Sequence, residues 1–446
     1  MAESVACRHR FGHDVGVTTP TSTAAIEAVF RIEFPRLVAG LARYVDDVAL
    51  AEDLAQDALV VALRQWPAQG VPRNPAAWLM TVGKRKAVDR FRRDRTLETM
   101  YALIGPDVTS DEPVGSVGDG EEQVEDDRLR LIFVACHPVL SPVARAALTL
   151  RLLGGLTTAE IARAYLQPEP TIAQRIVRAK RTIAAAQVPF EVPAGPDRAA
   201  RLGSVLEVIY LIYNEGYSAT AGDDWLRPEL CAEALRLARL LAGLAPQEPE
   251  VLGLLALIEI QSSRLRARVG LSGEPILLLD QDRRKWDRLH INRGLAALAR
   301  AEQIDPDHGP YTLQAAIAAC HARAFRPGET DWHRVVELYD RLAAKTPSPI
   351  IELNRAVAVS MAAGPEAGLA LVERVGWTGA LDNYHLFHSV RADLLDKLGR
   401  HGEAVTEFER AAELAQNSRE RQLSTDRART SRLRAVNGST SSATDV

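Results

Sequence analysis

The sequence predicts an all-α protein: two small helical units followed by a large helical-repeat domain. Three observations carry that expectation. Apolar residues recur at helical spacing along most of the 446 residues, with few runs of alternating polarity. A basic helical segment near 78–93 and a helix-turn-helix pattern at 157–181 flank a strongly acidic gap. Near-copies of one short segment then return late in the chain at a spacing close to ~34 residues.

Residues 1–23 are polar and read as a flexible arm. Ile26, Val29, Phe30, Ile32, Leu37, Val38 and Leu41 form a helical stripe, with Pro35 expected to bend it. Ala51, Leu54, Ala55, Ala58 and Ala62 line one face of a second helix. The stretch 67–75 holds three prolines and a glycine and is expected to be a loop. A third helix follows from Ala76 to about Arg95. Together 24–97 make the first unit.

Charge is distributed in blocks, although the net charge is only -4. Lys84 to Arg95 holds seven basic and two acidic residues, whereas Asp107 to Asp127 holds nine acidic and no basic ones. Residues 98–127 are therefore expected to form an acidic linker, extended by self-repulsion. Residues 128–187 form the second unit. Proline and glycine at 189–196 mark the next boundary, residues 200–416 read as helices throughout, and 417–446 are expected to be a flexible tail.

Cys7, Cys136, Cys231 and Cys320 are too scattered for a disulfide framework, which points to the cytoplasm. No apolar run reaches the ~18 residues of a membrane span. Composition thus argues against a secreted or membrane protein.

Thr157-Thr158-Ala159-Glu160 has the form of a capping box, opening a helix that Gln167-Pro168-Glu169-Pro170 breaks. A second helix is expected from about Thr171. Ile172, Ile176, Ala179 and Ile183 give it an apolar back; Thr171, Gln174, Arg175, Arg178 and Arg181 give it a basic, amide-bearing front. That is the pattern of a recognition helix, in which Arg reads guanine, Gln reads adenine and Thr holds phosphate. On the 76–95 helix, Lys84, Arg85, Arg90, Arg92 and Arg93 suit phosphate. Trp78 suits either stacking on an unpaired base or a place in the core, and Phe91 suits the core. Glu52, Asp53, Gln56 and Asp57 form an acidic face fit for a basic partner, or for solvent.

Late in the chain, 403–412 parallels 366–375, and a looser copy begins near Trp332. Helical repeats of the tetratricopeptide (TPR) kind are expected there, a plain antiparallel bundle being the alternative. Helical repeats present concave surfaces to a protein or peptide partner. Cys320-His321, the pair His385 and His388, and Glu215 are the residues that chemistry could use. The two histidines at i, i+3 lack an evident third metal ligand, and Cys320 and His321 point about 100° apart on a helix. No enzyme activity, no metal and no cofactor are expected.

In this order the pieces resemble bacterial sigma-70 family factors. These are the acidic helix Ala51-Glu52-Asp53-Leu54-Ala55-Gln56-Asp57-Ala58, then Pro75-Ala76-Ala77-Trp78-Leu79 and Val88-Asp89-Arg90-Phe91-Arg92-Arg93. The linker, Glu160-Ile161-Ala162 and Arg175-Ile176-Val177-Arg178-Ala179-Lys180 follow. The likeness covers about 24–187 and is to the compact extracytoplasmic-function group, which keeps regions 2 and 4. Tyr213-Asn214-Glu215-Gly216-Tyr217 and the segment 313–322 resemble the long C-terminal extension of one subgroup.

The resemblance implies a cytoplasmic RNA polymerase sigma factor that directs promoter recognition, DNA melting and transcription initiation. It implies that Glu52, Asp53, Gln56 and Asp57 dock on the β′ clamp helices of core RNA polymerase, and that region 4 meets the β flap. Arg73, Asn74, Trp78, Lys84, Arg85, Arg90, Arg92 and Arg93 would capture the -10 element. Thr171, Gln174, Arg175, Arg178 and Arg181 would read the -35 element. The Pro-Glu-Pro turn before Thr171 departs from the more usual small polar residue there. The C-terminal domain is expected to regulate the sigma part, by folding back on it or by binding a partner. The competing expectation is a ligand- or partner-sensing helix-turn-helix regulator that acts without polymerase.

Overall fold

The computed structural model describes residues 22–93, 117–165, 167–219 and 222–441, with side chains apart from those of 22–32, 93, 117–125, 196 and 437–441. Most of the expected arm (1–23) and of the acidic linker (98–127) lies outside the described residues. Among them are eighteen α-helices and no named β-strand.

Helices α1 (Ser22–Val45), α2 (Val48–Gln69) and α3 (Pro75–Arg93) form the first unit. α1 is one continuous helix through Pro35, the position where a bend is expected. Phe34, Leu37, Val38 and Leu41 are all buried around that proline, so their burial offsets the lost backbone hydrogen bond. Asp47 caps α2, its carboxylate accepting from the Ala49 and Leu50 amides. α2 continues past Pro67 to Gln69 and stops at Gly70, whose φ of 81° is open to glycine at little cost. The loop expected from residue 67 therefore starts three residues later.

Helix α4 (Val117–Ala135) corrects the expected linker, because the last part of the acidic stretch is helical. Asp127, expected in an extended tether, is buried and pairs with Arg43 of α1 (3.0 Å) and Arg130 (2.8 Å). Counter-ions supplied by the fold remove the self-repulsion that the bare sequence suggests. α5 (Pro142–Leu152), α6 (Thr158–Ala164) and α7 (Glu169–Ala185) complete the second unit.

The remainder stacks as helix pairs: α8 (Gly195–Tyr217) with α9 (Pro228–Leu244), then α10 (Pro249–Ser262) with α11 (Arg288–Ile304) and α12 (Pro310–Arg323). Three hairpins follow: α13 (Trp332–Lys345) with α14 (Pro349–Ala363), α15 (Pro365–Gly376) with α16 (His385–Lys397), and α17 (His401–Leu414) with α18 (Ser418–Ser441). Their first helices start 33 and 36 residues apart, which is the period read from the sequence. Pro at the first position of α8, α9, α10, α12, α14 and α15, or the next, sets each helix start.

The expected flexible tail is corrected too. α18 is helical to Ser441 and buries Ser424, Ala428 and Ser431. Arg427 pairs with Asp393 and Arg434 with Asp396 of α16, and Arg432 pairs with Glu409 of α17. At its foot, fully buried Asn417 donates to the carbonyls of Ala219 (3.1 Å) and Asp224 (2.9 Å). The last hairpin thus closes back on the loop between α8 and α9.

One continuous apolar core runs from Phe34 to Ile258, shared by α1 to α7 and the first helices of the repeat domain. Two further cores, Ala256 to Ala358 and Leu353 to Ala428, fill the repeats.

Candidate nucleic-acid interface

The capping box forms as the sequence requires. The Glu160 amide donates to Thr157 Oγ1 (3.1 Å), and the Thr157 amide donates to Glu160 Oε2 (2.8 Å). α7 begins at Glu169, two residues earlier than expected, with Pro168 as its N-cap and Pro170 in its first turn. Ile172, Ile176, Ala179 and Ile183 are buried. On the other side Thr171, Gln174, Arg178 and Arg181 are exposed, and Arg175 is half-buried. A shallow cleft of about 320 Å³ beside this face is lined by Ser141 and Ala144 of the α5 start and by Thr171, Gln174 and Arg178. The helix therefore offers amide, hydroxyl and guanidinium groups over about three turns, the requirement for reading base edges.

On the first unit, Asn74 has a structural use: its side-chain carbonyl accepts from the Ala77 amide (3.1 Å) and caps α3. Leu79 and Ala87 bury one face of α3. Arg73, Lys84, Arg85, Arg90 and Arg92 are exposed; the side chain of Arg93 lies outside the described residues. Lys84 sits 5.5 Å from the Tyr44 ring centre. Trp78 is half-buried, with its ring 5.3 Å from that of Trp66, and Phe91 is half-buried against the same core.

The acidic face is divided. Asp53 and Asp57 are exposed, but Glu52 retains only 1% of its surface. Glu52 Oε1 accepts from Arg151 Nε (2.7 Å) and from Gln56 Nε2 (2.8 Å), and its other oxygen pairs with Lys180. Of the four, Glu52 thus meets Arg151 of α5 and Lys180 of α7 across the contact between the two units, with half-buried Gln56 bonded to it. The reason is electrostatic. A carboxylate shut away from water must be met by cations and donors, and Arg151 and Lys180 supply them.

The repeat domain grips the second unit in the same way. Arg145 of α5 is buried against Ser204 of α8, pairs with Glu207 (3.1 Å), and Ser204 donates to the Cys136 carbonyl (2.6 Å). Arg227 donates to the Ala164 carbonyl at the end of α6 and pairs with Glu215; Arg236 donates to the Leu153 carbonyl. A cleft of about 1180 Å³ lies where the three parts meet, between Arg36, Arg163, Glu229 and Arg236. None of Arg145, Arg151, Lys180, Arg227 or Arg236 was singled out for contact from sequence. The available signal was arginine inside an apolar helical run, as at Arg145 and Arg151.

The residues set aside for chemistry are dispersed. His385 pairs with Glu420 (3.0 Å) and His388 with Glu407 (2.7 Å), so the two rings serve different carboxylates. Burial raises the Cys320 thiol and pushes those of Cys136 and Cys231 up to about 12, which keeps them protonated. Among the described residues no cluster of three ligand side chains could hold a metal, and no helix is long and apolar enough to cross a membrane.

A helix-turn-helix whose polar face is open, joined to a basic three-helix unit with an acidic second helix, defines the two-part class of transcription initiation factors. Residues 30–96 match Sigma-70 region 2 and residues 130–183 match Sigma-70, region 4. Residues 201–302 match a family of unknown function, DUF6596. Uncharacterized protein R00370 of Rhizobium meliloti is 45% identical over 409 residues, spanning 90% of this chain and 94% of its own. The ECF RNA polymerase sigma factor SigK of Mycobacterium ulcerans is 29% identical over 148 residues, 32% of this chain and 74% of that protein. The probable ECF sigma factor SigI of Mycobacterium tuberculosis is 28% identical over 158 residues, 35% of this chain and 54% of that protein. The yeast Tom70 crystal structure overlays at a TM-score of 0.36 with 11% identity over 92% of this chain and 87% of that one, too distant to carry an argument.

The chain belongs to the sigma-70 family, in the extracytoplasmic-function group, with a C-terminal helical-repeat extension. It is a sigma factor for transcription initiation, and core RNA polymerase and promoter DNA are its partners.

Proposed function

We propose that this structure is the resting form of a self-restrained sigma factor, in which the C-terminal domain governs access of region 2 to polymerase. The observation that carries the reading is buried Glu52, held by Arg151 and Lys180 of region 4 while the repeat domain grips region 4 from behind. In our reading Glu52, Asp53, Gln56 and Asp57 dock on the β′ clamp helices, and region 4 reaches the β flap. Docking then requires Glu52 to exchange its internal cations for those of polymerase. Thr171, Gln174, Arg175, Arg178 and Arg181 read the -35 element. Arg73, Trp78, Lys84, Arg85, Arg90, Arg92 and Arg93 take the -10 strand, with Asn74 acting through the start of α3.

Opening separates the two DNA-binding faces to the spacing of a promoter, and polymerase binding stabilises the open form. The protein lends specificity and performs no covalent step. Domain limits in this reading are 22–97 for region 2, 117–187 for region 4 and 195–441 for the regulator. The test is in vitro transcription with core polymerase, comparing the full chain with a variant lacking 200–446. Release of activity in the shortened chain is expected, and equal activity of the two defeats the proposal. A gel shift with promoter DNA alone addresses the helix-turn-helix regulator alternative: tight binding without polymerase favours it.

A further inference from the structure

Behind the loop that grips region 4, the repeat domain assembles an alternating stack of rings and guanidinium groups. Its members come from the C-terminal ends of α8 and α10 and from the segments that follow them. The Arg268 guanidinium carbon lies 3.4 Å from the Tyr217 ring centre and 4.4 Å from that of Trp225. Arg264 lies 5.6 Å from Tyr217 and 5.9 Å from Trp286, and Arg283 lies 5.1 Å from Trp286. Three cations thus share one aromatic nest.

The three are not equivalent. Arg283 is anchored: it donates to the His321 carbonyl (3.0 Å), the Ala324 carbonyl (2.9 Å) and Thr330 Oγ1 (3.2 Å). Arg268 is only 6% exposed, yet among the described residues its side chain has no ion pair and no hydrogen bond, and its Nε is an orphan. Half-buried Arg264 lies over rings and, among the described residues, its side chain likewise has no ion pair or hydrogen bond. The indole N–H groups of Trp225 and Trp286 and His321 Nδ1 are buried and, among the described residues, without a partner as well.

Stacking on rings offsets only part of the cost of removing a cation from water. Buried arginines are normally met by carboxylates, and buried donors by acceptors. Here donors and positive charge accumulate, and the acceptor is missing. The C-terminal ends of α8 and α10 add partial negative charge, but among the described residues none of their carbonyls accepts from the guanidinium of Arg264 or Arg268.

We propose that Arg264 and Arg268, flanked by Trp225 and Trp286, bind the oxyanion group of a small soluble molecule, a phosphate or a carboxylate. Such a group accepts from both guanidiniums and satisfies the orphaned Nε. Half-buried Arg264 is the side open to solvent. Trp225 lies two residues before Arg227, which holds the end of α6, so an occupant of the nest touches the loop that grips region 4. That link to regulation rests on the preceding proposal; binding itself does not.

Calorimetric titration of the full chain with inorganic phosphate, AMP and citrate, at constant ionic strength, tests the site without polymerase. Saturable one-to-one binding of phosphate and AMP identifies a phosphate site, and of citrate a carboxylate site, with affinity at or below about 10 mM. Arg268→Met and Arg264→Gln should each weaken that binding about tenfold or more. Arg268→Met should also leave the melting temperature unchanged or raised, because it removes an uncompensated buried charge. The proposal is overturned if none of the three anions binds saturably, or if binding survives in both variants. It is likewise overturned if Arg268→Met melts well below the parent while the parent shows no anion binding.

Discussion

Arg151→Met is the sharpest test of the closed form. In the structure Arg151 Nε lies 2.7 Å from Glu52 Oε1, and its guanidinium lies 5.6 Å from the Phe34 ring centre. Its side chain is 12% exposed and that of Glu52 is 2% exposed, so water screens the pair poorly. Removing one partner of a buried pair costs about 3–5 kcal/mol. Lys180 remains on the second oxygen, and methionine keeps the apolar stem of the side chain, so a smaller cost of about 2 kcal/mol applies here. In the open form both charges are hydrated; the bond from Arg151 to the Leu156 carbonyl (3.1 Å), which lies within region 4, is lost equally in both forms and cancels from the balance. The balance therefore moves toward opening by about 30-fold. If only the open form binds polymerase, the apparent Kd for core enzyme falls by up to that factor. Fluorescence anisotropy of labelled protein titrated with core polymerase measures it, and circular dichroism confirms that the helices persist. An affinity within twofold of the parent, or a weaker one, refutes the reasoning.

Four other outcomes are expected. Arg178→Ala should reduce the dependence of promoter binding by the holoenzyme on log salt by about one unit of slope if it meets a phosphate, and relax sequence preference instead if it reads a base; filter binding across a salt series distinguishes these. Gly253→Ala would place a Cβ 2.5 Å from Thr312 Oγ1 and 2.7 Å from its backbone nitrogen, forcing α10 and α12 apart at a cost of about 1–3 kcal/mol in thermal unfolding. His321 is held to about 3 by burial and by Arg264 and Arg283, so the folded form stays neutral while the unfolded chain protonates near 6.5. Stability should fall as pH drops from about 6.5 toward 3, by up to about 1.4 kcal/mol per unit, and His321→Gln should flatten that limb in pH-dependent melts. His388 has the opposite sign: its hydrogen bond to Glu407 raises it, so its contribution is complete below about 6.5 and lost as pH rises through the folded value. His388→Gln should then cost melting temperature at pH 6 and little at pH 9.

Local features of this fold were legible because local chemistry encodes them. Thr157 and Glu160 fix a helix start by spacing alone, and the apolar back of α7 falls on the four residues its periodicity marks. The repeat spacing was legible for the same reason. What was hidden depends on partners distant in sequence. Glu52 reads as a surface acid until Arg151, 99 positions later, is brought beside it. Asp127 reads as part of a repelling tether until Arg43 is seen to neutralise it. The cationic nest was invisible for a further reason: its rings and guanidiniums gather from helix ends and connecting segments, where no periodicity marks a shared face.

Asn417 carries a consequence for how the protein comes into being. Its two carbonyl acceptors, at Ala219 and Asp224, are made 198 and 193 residues before it. At ~5–20 residues per second, the ribosome completes the sigma part roughly ten to forty seconds before the asparagine that ties down the loop exists. During that interval a nascent chain has its promoter-reading helices but not the clasp behind them. On the proposed reading, in which the repeat domain restrains the sigma part, translation imposes a fixed delay between the birth of the activity and the birth of its restraint.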